Sequence, residues 1–133
     1  MSKKAVGINK LKDDQTFLDT LKDVKRQEDE LAIPKLNTSH AQAVITFLTT
    51  DNGGRIGPVR SGYRGQFFYD GKDWDAVQRY EGIEWVYPGQ TVKTHLWFLS
   101  PEAHYANLYV GKSFEIREGG KVVAHGHITA TNK

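Results

Sequence analysis

The sequence predicts an all-β protein, a closed antiparallel barrel of six strands with an N-terminal α-helical extension. Three observations point there. After His40 the apolar residues recur at every second position, the period of a strand with one buried face. Turns containing glycine or proline separate these stretches at short intervals. The chain has 133 residues, 38% of them hydrophobic, which supplies one core but not two. Six short strands sharing one core are best closed on themselves, because closure removes the unpaired edges on which chains aggregate.

The elements follow in chain order. From Asp13 to Leu31, Phe17, Leu18, Leu21 and Val24 fall at helical spacing with charges around the rest of the wheel, predicting a short amphipathic helix. Asp13 and Asp14 suit its N-terminus, where carboxylates meet unpaired N–H groups. Pro34 ends this segment, so residues 1–40 read as an extension with a linker and residues 41–133 as the barrel. The first strand, "AQAVITFLTT", sets Ala43, Ile45 and Phe47 on one face. A glycine-rich loop carrying Arg55, Arg60 and Arg64 comes next, where guanidinium forks could grip phosphate or carboxylate. "QFFYD" and "WDAVQRY" form a hairpin turning at Gly71 and Lys72. In it Phe67 and Tyr69 share one face, so the outward Phe68 needs cover from the helix or from a partner. "YPG" places Pro88 and Gly89 at the second and third positions of a turn. Thr91 to Leu99 then puts Val92, Thr94, Leu96 and Phe98 on one face and Lys93, His95, Trp97 and Leu99 on the other. The last two strands meet at Gly119-Gly120, which tolerate the positive φ angles of a two-residue loop.

Composition excludes several function classes. With no cysteine, disulfide and thiolate chemistry are out, and a cytoplasmic setting is expected. No apolar run is long enough for a membrane span. The net charge of +2 is spread evenly, with eight basic and seven acidic residues in 1–40, so there is no basic arm. "VGKS" at Val110–Ser113 resembles the end of a phosphate-binding loop. The glycine that such a loop needs five residues earlier is Ala106, so no nucleotide site is expected in this chain. His125 and His127 project from one face of a strand and could share a metal with His95, His104 or Glu115. Nothing fixes such a set, and surface histidines without a ligand role are expected, with no cofactor. Asp73 and Asp75 read as a solvated turn rather than an acid/base pair, and no nucleophile is tied to a base, so catalysis is not expected.

The stretches "DNGGR", "GYRGQFFY", "EGIEWVYPGQTVK", "SP" and "FEIREGGKVVAHG" occur in an order similar to that of the third domain, the C-terminal barrel, of bacterial elongation factor Tu. The resemblance covers roughly Ala41 to Thr129 and implies a Greek-key barrel without the GTPase domain. It also implies contact with the tRNA backbone through Arg64, Gln66, Glu118 and Gly119. The partners to be expected are therefore tRNA or rRNA, or alternatively a translation-factor protein for which this barrel mimics elongation factor Tu. Departures from the pattern bear on that choice. The family's proline after the loop arginine is Gly65, which would loosen the loop. "DGKDWDA" brings Asp70, Asp73 and Asp75 close to where phosphates would lie, and Ser100 stands where the family has a cation or imidazole. Several extra residues separate Pro101 from Arg117.

Overall fold

The computed structural model describes residues 38–132, all within one compact unit spanning Lys35–Lys133. The helix expected between Asp13 and Leu31 lies outside the described residues. Eight strands form: β1 (Ala41–Phe47), β2 (Val59–Arg60), β3 (Gln66–Tyr69), β4 (Lys72–Tyr80), β5 (Trp85–Val86), β6 (Thr91–Phe98), β7 (Ser113–Glu118) and β8 (Lys121–Thr131). Six of them close an antiparallel barrel in the order β1-β6-β4-β3-β7-β8. Within it β3, β4 and β6 follow one another as neighbours and β1 returns beside β6, which is the Greek-key arrangement.

The alternation read from the sequence is the alternation of the barrel wall. Ala41, Ala43, Ile45 and Phe47 are buried, while Gln42 and Thr46 face solvent. Phe67 sits at the centre of the core, fully buried, stacked on Phe114 at 4.3 Å and edge-on to Phe98 at 5.1 Å and Tyr69 at 5.7 Å. The Tyr87–Gln90 turn has the expected form: Gly89 takes φ +92° and the Gln90 N–H donates to the Tyr87 carbonyl at 3.0 Å. Gly119 and Gly120 likewise take φ +58° and +85°.

The structure moves other details. The β3–β4 turn is made by Asp70 and Gly71, one residue earlier than expected, with φ +51° and +79°; an aspartate tolerates the left-handed region well enough to hold the first position. The loop after β1 contains β2, which pairs with β5 in a separate two-stranded ribbon too short for any periodicity to announce. Phe68 faces outward as expected, but its cover comes from within the barrel: the Arg117 guanidinium lies 3.5 Å from the ring centre. On the outer face of β6, His95 and Trp97 are buried. Thr38 accepts a hydrogen bond from Trp97 Nε1 at 3.1 Å, and Ser39 Oγ lies 3.3 Å from His95 Nδ1.

The extra residues after Pro101 begin with the 3-10 turn Pro101–His104, which drives His104 into the end of the barrel. Its ring packs on Phe98 at 4.3 Å and Trp74 at 4.5 Å, and Nδ1 is 2.6 Å from the Tyr69 hydroxyl. Nε2 is buried with no partner among the described residues. Burial, and secondarily His40 nearby, hold the His104 pKa below the ordinary histidine value of 6.5. The folded protein therefore prefers neutral His104, whereas the unfolded chain takes up a proton as pH falls through about 6.5. Stability from this group is complete above that pH and is lost below it, until the folded pKa is reached. Thermal unfolding should show a fall in Tm from pH 7.5 to 5.5, and His104→Phe should flatten that slope even while lowering Tm at pH 7.5.

Candidate functional site

Three of the four residues singled out from the sequence, Gln66, Glu118 and Gly119, lie at one rim of the barrel. Gln66 opens β3 and pairs with Arg117 of β7; its Oε1 accepts the Gly120 N–H at 3.3 Å, which joins the start of β3 to the β7–β8 turn. Gly119 and Glu118 belong to that turn and to the end of β7. Arg64, two residues ahead of Gln66, is exposed and forms no hydrogen bond or ion pair with another described residue. Gln66, Glu118 and Gly119 are thus brought together by strand register, with Arg64 on the adjoining loop.

Glu118 is already engaged. Its carboxylate accepts from Arg55 Nη1 and from the Tyr63 hydroxyl. Arg55 also donates to the carbonyls of Gly57 and Pro58 within its own loop and lies 5.6 Å from the Tyr63 ring centre. Burial, reinforced by the bond to Glu118, pushes the Tyr63 hydroxyl far above the ordinary tyrosine range, so it stays a donor. Gly65 is part of this packing. A Cβ there would lie 2.7 Å from both Ile116 Cγ2 and the Tyr63 hydroxyl, so glycine leaves room for the Tyr63 side chain where it bonds Glu118.

Sequence reasoning left the partners of the arginines open, because residues far apart in sequence supply them. Arg55 is neutralised by Glu118, Arg60 by Glu84, and Arg117 by Glu115; Arg60 also lies 5.7 Å from the Trp85 ring centre. Lys112 binds Asp70 at 2.8 Å and Lys72 rests 4.3 Å from the Trp74 ring centre. Of the three loop arginines, Arg64 alone is free of such a pair among the described residues. Asp70 is balanced by Lys112, but Asp73 and Asp75 are exposed and form no ion pair among the described residues, and Asp75 stands directly across from Gln66.

The histidines do not converge. His125 lies opposite Glu115 and His127 opposite Ser113 on the β7–β8 wall, whereas His104 is sealed inside and His95 sits on β6. Among the described residues no group of three or more histidines, aspartates or glutamates is arranged to hold a metal ion. No helix among them is long and apolar enough to cross a membrane. Over residues 34–132 the chain matches the family model described as elongation factor Tu C-terminal domain.

Proposed function

Since this chain belongs to the elongation factor Tu C-terminal domain family, we propose that it is a non-catalytic, translation-factor-related binding module of the cytoplasm whose ligand is a protein. In this reading residues 41–133 are the binding barrel, residues 1–40 are an appended extension, and the barrel mimics elongation factor Tu to dock onto, or compete for, one of that factor's partners. The charge pattern carries the reading. Arg55, Arg60 and Arg117 are each held by a glutamate, and among the described residues Asp73 and Asp75, the latter across from Gln66, form no ion pair. Phosphate binding draws its affinity from unpaired cations, each adding roughly one unit to the salt slope, so a rim where, among the described residues, Arg64 and Lys121 lack a carboxylate while Asp73 and Asp75 lack a cation has little net positive charge to offer RNA.

A second reading rests on a specific observation, that Arg64, two residues before Gln66 and its bond to Gly120, has no ion pair among the described residues. Here the guanidinium meets tRNA or rRNA backbone, Gln66 and Glu118 reach ribose, and Gly119 admits the strand closely without reading sequence. Two measurements separate the readings. The full chain, tagged and exposed to nuclease-treated lysate, should retain a protein that excess full-length elongation factor Tu displaces. Its affinity for bulk tRNA should stay in the non-specific range, with a Kd of about 10⁻⁴ M or weaker at physiological salt, and Arg64→Ala should not change it. Tight tRNA binding that falls steeply with salt and is lost in Arg64→Ala would reverse the order of the two.

A further inference from the structure

Strand β4 pairs with β3 over Lys72–Asp75 and with β6 over Ala76–Tyr80, so its first residues have a strand on one side only among the described residues. Tyr69 and Lys72 flank the two-residue turn, so they exchange ladder hydrogen bonds. By alternation Lys72 and Trp74 direct their backbone groups toward β3, whereas Asp73 and Asp75 direct theirs the other way. On that other side β6 covers Ala76–Tyr80, and the Leu99 N–H still donates to the Asp75 carbonyl at 3.3 Å. Continuing the same register sets Pro101 opposite Asp73. Proline has no N–H to donate, and the chain leaves the sheet there in the Pro101–His104 turn. The backbone N–H and C=O of Asp73 therefore face a groove with no strand in it among the described residues. The groove has a volume of about 410 Å³; besides the two aspartates it is lined by Gln66, Lys72, Trp74, Leu99 and Ser100, with Leu99 more than half exposed.

We propose that this open edge is a β-augmentation site for an extended basic peptide of a partner protein, one carrying lysine or arginine at alternate positions. An incoming strand would complete the ladder at Asp73. Its side chains would pair across with Asp73 and Asp75, which project from one face at the spacing of about 7 Å that alternate residues of a strand share. Charge complementarity selects the occupant: Lys112 neutralises Asp70, and Lys72, which also lines the groove, lies over the Trp74 ring, so neither Asp73 nor Asp75 forms an ion pair among the described residues and the two carboxylates outnumber the one lysine. A nucleic acid strand would bring its phosphates against them. The site rests on the protein-ligand reading and names the chemistry of that ligand.

The probes are capped octapeptides of alternating lysine and valine, the glutamate–valine counterpart, the lysine–valine peptide N-methylated on its pairing edge, and a single-stranded oligonucleotide. Each is titrated into the full chain and followed by amide NMR. The lysine–valine peptide should shift the amides of Asp73, Leu99 and Ser100, and the Asp73→Asn/Asp75→Asn double variant should weaken it by about tenfold. Both aspartates are exposed, so the variant leaves the core intact. Glutamate–valine and N-methylated peptides should fail. No binding, equal binding by the N-methylated peptide, shifts elsewhere, or the oligonucleotide shifting the same amides would each overturn the site. A captured protein that the lysine–valine peptide does not displace would sink the edge site and leave the protein-ligand reading standing. Peptide binding at the edge without any captured protein would do the reverse.

Discussion

Phe67→Ala should lower the free energy of unfolding by about 3–5 kcal/mol, as loss of a large aromatic from a closed core does. The ring has no exposed surface, and its neighbours are Phe98 of β6, Phe114 of β7 and Tyr69 of β3 itself. They cannot all relax into the space, because each is fixed by its own strand register. Urea unfolding read by far-ultraviolet circular dichroism checks this, with Phe68→Ala as the comparison. Phe68 faces out under Arg117, so truncating it removes a stacked guanidinium contact but opens no internal cavity; its loss should be about 1 kcal/mol or less. Equal losses at the two positions would mean that the inside and outside of β3 had been assigned wrongly.

That assignment was legible in the sequence because a strand's two faces are a local property. The alternation of "AQAVITF", the Pro-Gly turn and the Gly-Gly turn each depend on a few adjacent residues, and each has its counterpart in the barrel. What the sequence withheld is what distant residues do to one another. Arg55 and Glu118 are 63 positions apart, and Gln66 and Gly120 are 54 apart. No spacing rule links them, so the sequence left open whether the three loop arginines meet phosphate, carboxylate or solvent, and two of them hold glutamates. For the same reason the sequence did not show what meets Trp97 and His95 on the outer face, since Thr38 and Ser39 come from well before the strand. The β2–β5 ribbon escaped because two-residue strands have no period. The open edge of β4 did leave a trace: a proline three residues after the last residue of β6 marks where the neighbouring strand must stop, and only the barrel order shows which strand loses its neighbour.

Gly54→Ala should be as damaging as loss of a core side chain, destabilising the protein by about 3 kcal/mol or more, at the severe end of overpacking. Gly54 does not need glycine for its φ angle; it needs glycine for room. A Cβ at this position would lie 2.2 Å from the Leu48 carbonyl oxygen and 2.8 Å from that of Thr49. Both obstacles are backbone, so no rotamer change relieves them. They are also anchored: the Leu48 N–H donates to the Val123 carbonyl at 3.0 Å, and the Thr49 carbonyl accepts the Gly54 N–H at 2.9 Å. Moving the loop outward to admit a methyl group would carry Arg55 away from Glu118, so the lesion should reach the rim as well as the melting temperature. Gly57 is the internal control, in the same loop, with nothing within 4 Å of an added Cβ and no left-handed φ. Gly57→Ala should be neutral or should raise stability by up to about 1 kcal/mol through the unfolded chain. If thermal unfolding showed Gly54→Ala to be as harmless as Gly57→Ala, the loop would be free to shift. The rim would then be a surface assembled on binding instead of one built in advance by the fold.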